Sequence, residues 1–268
     1  MKVVIAIDSF KGSMSSMEAG YAAKEGVLRA MPGAEVVVKP LADGGEGTTD
    51  ALIEGMKGER VELSVKGPYG ESVDAHYGYI RKDRLSVMEM AQAAGITISE
   101  RKDPMAATTY GVGEMILHAL DQGCRSFIIG IGGSATNDGG VGMLKALGVR
   151  FLDAQGQDCG EGGAALSRVS TIDVSGLDPR IAESEIRVAC DVENPLCGEQ
   201  GATYIYGPQK GVTEDMKKGL DEAMAHYADV TAQALGKDLR ETSGAGAAGG
   251  LGFALISYLG ARLVPGIE

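Results

Sequence analysis

Short apolar runs alternate with amphipathic stretches along the first part of the chain, and this pattern predicts strands followed by helices. Val3 to Asp8 and Glu35 to Val38 are apolar, largely β-branched runs that precede helical patterns. One helix is predicted to follow Ser15, which forms a capping box with Glu18, and the next is predicted to be capped by Thr48. Two successive β-α units predict parallel strands with their exit loops at one sheet edge.

The pattern changes near residue 60, where a first domain boundary is predicted. From there to Met90, strand-like runs separated by turn signals predict an antiparallel meander. The longest helix is predicted from apolar residues at helical spacing between Val212 and Ala234. A last, amphipathic helix is predicted to open at the glycines before residue 251. Further strands are predicted at 126–129, 149–152 and 186–190.

The composition of the chain argues against some classes of binding partner. The chain has 268 residues, a formal net charge of -12 and an isoelectric point near 4.8. This charge argues against nucleic acid or an anionic membrane as partner, because both attract clustered Lys and Arg. The four cysteines form no C-x-x-C pair, which is typical of reduced thiols in a cytoplasmic protein. No apolar run is long enough for a signal peptide or a membrane span.

The segment Gly130–Gly140 is the principal candidate for a functional site. It follows a buried apolar strand, and such loops lie at the carboxyl edge of a sheet, where ligands bind. Its glycines allow the backbone to approach an anion, and Ser134, Thr136 and Asn137 add side-chain donors. Asp138 would repel a phosphate unless a divalent cation lay between them, so the loop predicts a phosphate with its metal. The simpler alternative is a tight strand-to-helix turn.

A dinucleotide site is the rival interpretation of the same loop. Gly130, Gly132 and Ala135 fit the spacing of that motif, and Asp153 follows the next strand, where an acid would bind a ribose. This pattern predicts an NAD-linked oxidoreductase. Against it, Asn137–Gly140 places a carboxylate and two helix-weakening residues where the dinucleotide helix would run. No P-loop sequence occurs.

Phosphoryl transfer needs backbone donors around the phosphates, carboxylates for Mg²⁺, a positive group and a residue that orients the attacking hydroxyl. Several segments of small residues together contain all four kinds of group. Taken alone, each acidic residue in these segments is typical of a helix cap or a turn. Their joint position at strand exits favours a shared site. These segments are 8–13, 40–48, 130–140, 191–211 and 244–250.

Six ordered motifs resemble the bacterial glycerate kinase family. The resemblance runs from the first strand to the last helix and implies ATP-dependent phosphorylation of D-glycerate to phosphoglycerate. It also implies an α/β fold with a flavodoxin-like parallel-sheet domain, residues 1–60 plus 245–268, and an inserted restriction-endonuclease-like mixed-sheet domain, residues 61–244. The motifs are Asp8–Ser13, Ala42–Thr48, Gly132–Gly140, Asp191 with Asn194–Leu196, Gly207–Gly211 and Gly244–Gly250.

Motif position and chemistry together predict the site residues. Asp43, Asp191 and Lys11 are expected to be catalytic. Mg²⁺ is expected to be held by Asp43, Asp138 and Asp191. The residues expected to bind substrate or nucleotide are Ser9, Ser13, Gly44, Gly45, Glu46, Gly132, Gly133, Ser134, Thr136, Asn137, Asn194, Lys210 and Gly246.

The family sequence continues beyond the end of this one, which would then carry part of the flavodoxin-like domain. A non-catalytic fragment that binds a metabolite is therefore a second alternative to the kinase. A homo-oligomer and the identity of the phosphorylated hydroxyl are left open.

Overall fold

The computed structural model describes residues 1–8, 10, 13–41 and 47–266. Within these ranges three short 3₁₀ helices cover Arg81–Asp83, Pro179–Glu183 and Pro208–Lys210. The other elements are β1 (Lys2–Ile7), α1 (Ser16–Ala30), β2 (Glu35–Pro40), α2 (Thr48–Met56), β3 (Glu59–Lys66), β4 (Ser72–Ile80), β5 (Leu85–Glu89), α3 (Ala91–Ala94), α4 (Tyr110–Asp121), β6 (Ser126–Gly130), α5 (Val141–Ala146), β7 (Arg150–Leu152), α6 (Gly163–Leu166), β8 (Thr171–Asp173), β9 (Glu185–Ala189), α7 (Ala202–Tyr206), α8 (Glu214–Leu235), α9 (Ala247–Tyr258) and β10 (Arg262–Val264).

The strands form a parallel pair, a six-stranded mixed sheet and a small antiparallel pair. β1 and β2 are parallel, and β7 and β8 are antiparallel. The six-stranded sheet has the order β10-β9-β6-β5-β4-β3, in which β10, β9, β6 and β5 are parallel and β4 and β3 complete an antiparallel meander. The predicted mixed α/β class and the meander are confirmed.

Four parallel strands of the large sheet end at the same level. Glu89 of β5 pairs with Gly130 of β6, Gly130 pairs with Ala189 of β9, and Ala189 pairs with Val264 of β10. The segments that follow these residues therefore leave the sheet at one edge, as expected of parallel strands.

The core lies between the large sheet and the helices around it. Phe127 of β6, Tyr227 of α8 and Phe253 of α9 have no more than 1% of their surface exposed. All of α9 is buried, so the prediction of an amphipathic last helix was wrong. Its sequence is apolar around the whole circumference, which suits a helix enclosed by other elements.

Helix α2 packs against β2 and also against β4 and β5, so it connects the parallel pair to the large sheet. It begins at Thr48, and its N-cap is Gly47, which has a φ of 89° and no side chain to cap the helix. The prediction that Thr48 is the cap was therefore wrong by one position.

The proposed division into two domains stays a prediction. β10 lies within the predicted flavodoxin-like segment but pairs with β9 of the large sheet.

Candidate active site

The loop after β6 presents unpaired backbone donors at the sheet edge. Gly132 and Gly133 are exposed, and no acceptor among the described residues faces their amide N–H groups. Gly133 has a φ of 72°, and its carbonyl accepts a 2.8 Å hydrogen bond from the amide of Ile96. The amide of Ala135 donates to the carbonyl of Ala94 at 2.9 Å. The loop is thus fixed to the segment after β5, and the described part of the chain supplies no hydrogen-bond acceptor to its two glycine amides.

The polar side chains that follow the glycines are buried. Ser134 is 7% exposed, and Thr136 and Asn137 are fully buried. The amide nitrogen of Asn137 donates to the hydroxyl of Thr203 at 3.1 Å. Within the described part of the chain, the Thr136 hydroxyl and the Asn137 amide oxygen have no hydrogen-bond partner. Such atoms are costly to leave unpaired, so they are available to a bound group or to water.

Asp138 is a buried acceptor for the starts of two helices. Its carboxylate accepts bonds from the amide and hydroxyl of Thr109, both at 2.8 Å, and from the amides of Gly140 at 3.1 Å and Gly142 at 3.2 Å. Burial raises the pKa of Asp138, and these donors act in the opposite direction. Since both oxygens are used and the side chain is fully enclosed, the geometry speaks against the predicted metal role.

Lys210 lies beneath the loop. It is 1% exposed, and its Nζ donates a 2.7 Å hydrogen bond to the carbonyl of Thr136. Burial lowers the pKa of Lys210 to about 7, against the attraction of the Asp138 carboxylate. The predicted contact of Lys210 with substrate or nucleotide is thus not favoured, because its side chain is enclosed and engages the backbone.

Asp191 follows β9 at the same edge and is exposed. Its Oδ1 accepts a 2.8 Å hydrogen bond from the amide of Gly266. It lines a cavity of about 320 Å³ together with Glu193 and Ser243. Among the described residues, no group of three His, Cys, Asp or Glu side chains is placed to hold a metal ion. Asp191 can therefore contribute one ligand, and further ligands would have to come from elsewhere.

Asn194 shapes the segment after β9. Its amide nitrogen donates to the carbonyl of Gln200 at 2.8 Å, and its amide oxygen accepts from the hydroxyl of Tyr206 at 2.6 Å. Both ends of the side chain are occupied within the protein, so a structural role fits this residue better than the predicted contact with substrate.

The glycine segment before α9 packs tightly against two of the edge loops. A Cβ atom on Gly246 would lie 2.2 Å from the carbonyl oxygen of Pro195, and one on Gly249 would lie 2.0 Å from that of Thr136. The amide of Gly139 donates to the carbonyl of Gly249 at 3.0 Å. Gly246 therefore acts by permitting close packing. The predicted segments 130–140, 191–211 and 244–250 are brought together.

The amino-terminal candidates are only partly covered. Ser13 is exposed in a turn, where its amide donates to the carbonyl of Phe10 at 2.7 Å. The other candidates from this part lie outside the described residues. They are Ser9, Lys11, Asp43, Gly44, Gly45 and Glu46.

Glu89 was missed by the sequence analysis. It ends β5, is 3% exposed, and accepts hydrogen bonds from the amides of Thr49 at 2.7 Å and Gly47 at 3.3 Å. Burial raises the pKa of Glu89, and the two donors act in the opposite direction. The available signal was a single carboxylate at the end of the apolar run Leu85–Met90, since acids are rarely buried without partners.

The dinucleotide alternative does not fit this geometry. β7, which precedes Asp153, pairs with β8 in an antiparallel pair and not beside β6. The Asp153 carboxylate accepts the amides of Gln155 and Gln157, both at 2.9 Å, within its own turn. It has the role of a turn residue.

Backbone donors and a carboxylate at one carboxyl edge are typical of α/β enzymes that handle phosphorylated ligands. This is the class that the fold and the site define. The chain belongs to the glycerate kinase family, whose family model matches residues 3–268. The assignment made from the motifs is thereby confirmed.

Similar proteins cover the whole chain. The glycerate kinase of Bacillus subtilis is 50% identical over 270 residues, which are 100% of this chain and 71% of that protein. The glycerate 2-kinase of Escherichia coli is 49% identical, with the same coverage. The crystal structure of a glycerate kinase 2 from Salmonella typhimurium has a TM-score of 0.95 and 48% identity, and covers 100% of this chain and 72% of that one. The chain thus spans about seven tenths of the length of these relatives.

Proposed function

We propose that this chain transfers the terminal phosphoryl group of ATP to D-glycerate in the presence of Mg²⁺. One observation carries the proposal. The exposed amides of Gly132 and Gly133 lie at the sheet edge where four parallel strands end in register with one another. Membership of the glycerate kinase family supports the choice of acceptor.

The glycine loop would hold the phosphates. The amides of Gly132 and Gly133 have no acceptor of their own among the described residues, and the Thr136 hydroxyl, a further donor without a partner there, lies just after them in the chain. Because these donors are fixed in advance by the folded loop, they stabilise developing negative charge without reorganising during the reaction.

Asp191 and Asp43 are the acids proposed to hold Mg²⁺ or to orient the glycerate hydroxyl. One carboxylate oxygen of Asp191 accepts a hydrogen bond from the amide of Gly266, which leaves the other oxygen for a ligand. When bound, Mg²⁺ would neutralise charge on the transferred group. Lys11 is proposed to balance negative charge on the substrate carboxylate or the nucleotide. Lys210 and Asp138 would shape the loop from below without touching the reacting atoms.

The proposed partners are small molecules. In the described part of the chain, no helix is both long and apolar enough for a bilayer crossing. We propose a cytoplasmic location, which the four free cysteines support, since thiols stay reduced there. The net charge of -12 supports the expectation that nucleic acid is not a partner. A homo-oligomer remains open.

Equilibrium binding of nucleotides tests the proposal. The protein is expected to bind ATP with Mg²⁺, to bind it more weakly after Asp191→Asn, and to be indifferent to Asp153→Ala. Binding of NAD that is lost on Asp153→Ala would instead support the dinucleotide alternative. Binding of ATP without any transfer to glycerate would support the non-catalytic fragment.

A further inference from the structure

A cavity of about 320 Å³ lies between the carboxyl ends of β9 and β10. Small-molecule sites commonly have volumes of about 300 to 1,000 Å³, and they combine apolar walls with a few polar groups. This cavity has both kinds of lining. Its apolar wall is formed by Val192, Leu263, Val264 and Pro265. The cavity therefore has the size and the composition expected of a site for an organic ligand.

Close packing at Gly244 holds the inner wall of the cavity in place. A Cβ atom there would lie 2.6 Å from Cδ1 of Leu263, 3.2 Å from the carbonyl oxygen of Val192 and 3.3 Å from the sulfur of Cys190. The amide of Cys190 also donates to the carbonyl of Val264 at 2.9 Å, which joins the end of β9 to the end of β10. The folded chain thus builds the cavity before a ligand arrives, which lowers the entropic cost of binding.

The charges at the cavity disfavour an anionic ligand. Asp191 and Glu193 both line it and are both exposed, and the lining contains no Lys, Arg or His from the described part of the chain. Carboxylates without a nearby cation raise the cost of placing a carboxylate or a phosphate beside them. Mg²⁺ on Asp191 would still leave the charge of Glu193 uncompensated. A neutral group that donates hydrogen bonds is therefore favoured in this cavity over glycerate or a phosphate.

The cavity and the glycine loop lie on opposite sides of Asp191. In the sheet, β9 stands between β6 and β10, and the strand ends Gly130, Ala189 and Val264 are in register. The glycine loop leaves the sheet after β6, whereas the cavity opens at the same edge between β9 and β10. Because neighbouring strands are only about 4.8 Å apart, a nucleotide laid along this edge can reach both.

We propose that this cavity binds the nucleoside of ATP, with the purine against the apolar wall and the ribose hydroxyls near the Glu193 carboxylate. The proposal rests on the proposed function, in which the glycine loop holds the phosphates. Adenosine is uncharged at neutral pH, and its amino and hydroxyl groups can donate hydrogen bonds to the acidic rim. Its planar base removes apolar surface of the wall from water.

Protection of Cys190 from N-ethylmaleimide tests the occupancy of the cavity in the unaltered chain. Cys190 lines the cavity and Cys197 does not, although both thiols are half-buried. Burial raises the pKa of both thiols, so Cys197 is a matched control within the same molecule. Adenosine or ADP at about ten times its Kd is expected to slow alkylation of Cys190 by about 10-fold and to leave Cys197 unchanged. Inorganic tripolyphosphate and D-glycerate are expected to protect neither thiol.

Two tryptophan variants show whether a ligand needs the space inside the cavity. Ser243 lines the cavity, whereas Glu241, two positions earlier, does not, and both residues are exposed. Ser243→Trp is expected to fill the cavity and to weaken ADP binding by about 10-fold or more, with the binding of tripolyphosphate unchanged. Glu241→Trp is expected to leave both affinities unchanged. Thermal unfolding checks that the two variants are folded.

Several results would overturn the nucleoside site. They are protection of Cys190 by glycerate and not by adenosine, equal protection of both thiols, no protection at all, and unchanged ADP affinity in folded Ser243→Trp. The proposed function fails in a different way, because protection needs no turnover. Selective protection of Cys190 by ADP in a chain without glycerate-dependent ADP release would retain the site and contradict the kinase function. Release of ADP without protection would retain the kinase function and overturn the site.

Discussion

The ammonium group of Lys210 donates a 2.7 Å hydrogen bond to the main-chain carbonyl of Thr136, in the middle of the glycine-rich loop. Both residues are buried, with 1% of Lys210 exposed and none of Thr136. A lysine that had been expected to meet a ligand therefore supports the loop from the protein side. This hydrogen bond links the conformation of the glycine-rich loop to the protonation of a buried amine.

Stability is expected to depend on pH through Lys210. Burial lowers its pKa to about 7 from an ordinary 10.5, so below pH 7 both the native and the unfolded chain carry the proton, and the cost of burying the charge is fully present. Between about pH 7 and pH 10 the unfolded chain binds more protons. The free energy of unfolding, relative to Lys210→Met, should therefore rise by about 1 kcal/mol per pH unit in that window.

Urea unfolding of both proteins at pH 6.5 to 9.5 measures this difference. A difference that is flat or falls with rising pH would show that the native pKa of Lys210 is not lowered.

Replacing Asp138 by Asn should affect stability and not metal dependence. The carboxylate accepts four hydrogen bonds, whereas Asn offers one acceptor oxygen and two donors of its own to the same site. We expect a loss of about 3 kcal/mol or more in the free energy of unfolding. The concentration of Mg²⁺ that gives half-maximal rate should stay unchanged. An Asp138→Asn variant that is as stable as the parent protein but requires more Mg²⁺ would show that Asp138 binds the metal.

Asp191→Asn should behave in the opposite way. The side chain is exposed, and the hydrogen bond that it accepts within the described part of the chain comes from the amide of Gly266, which an Asn oxygen can also accept. The melting temperature should therefore change little, while the rate falls and the Mg²⁺ requirement rises. Thermal unfolding and Mg²⁺ titrations of the rate measure the two effects. If Asp191→Asn kept the full rate with an unchanged Mg²⁺ requirement, Asp191 would not be part of the active site.

Close packing beneath the loop can be tested with two glycines of similar backbone conformation. Gly249 and Gly236 have φ values of 67° and 69°, but a Cβ on Gly249 would lie 2.0 Å from the carbonyl oxygen of Thr136, while one on Gly236 would meet nothing within 4 Å. Gly236→Ala should cost about 1 kcal/mol, from the backbone alone. Gly249→Ala should cost several times more, because the loop must move.

Urea unfolding compares the two alanine variants under one set of conditions. Equal costs would show that the segment before α9 does not pack against the loop as described.

Local patterns predicted the principal loop and most of the strands, but not the three-residue strands β8 and β10. β6 is an apolar run that ends in glycines, so both the strand and the position of its loop could be inferred from neighbours in sequence. The short helices α3 and α6 were missed, because four residues carry too little periodicity to separate a helix from a turn. α9 was misjudged because its glycines and alanines conceal an element that is buried on all sides.

Roles that depend on distant partners could not be predicted. Glu89 and Lys210 have partners 40 and 74 residues away, and Asp138 has one 29 residues away. In sequence, each resembles a charged residue available for chemistry. Only the fold shows that these charges are enclosed and bound to the backbone, whereas Asp191 stays exposed at the same edge.

The release of ADP from MgATP on addition of D-glycerate, followed in a coupled assay with this 268-residue chain, tests the central claim most directly. We expect release that depends on glycerate and that Asp43→Asn abolishes while leaving thermal stability nearly unchanged. A well-folded chain that releases no ADP with glycerate, or whose release survives Asp43→Asn, would contradict the account.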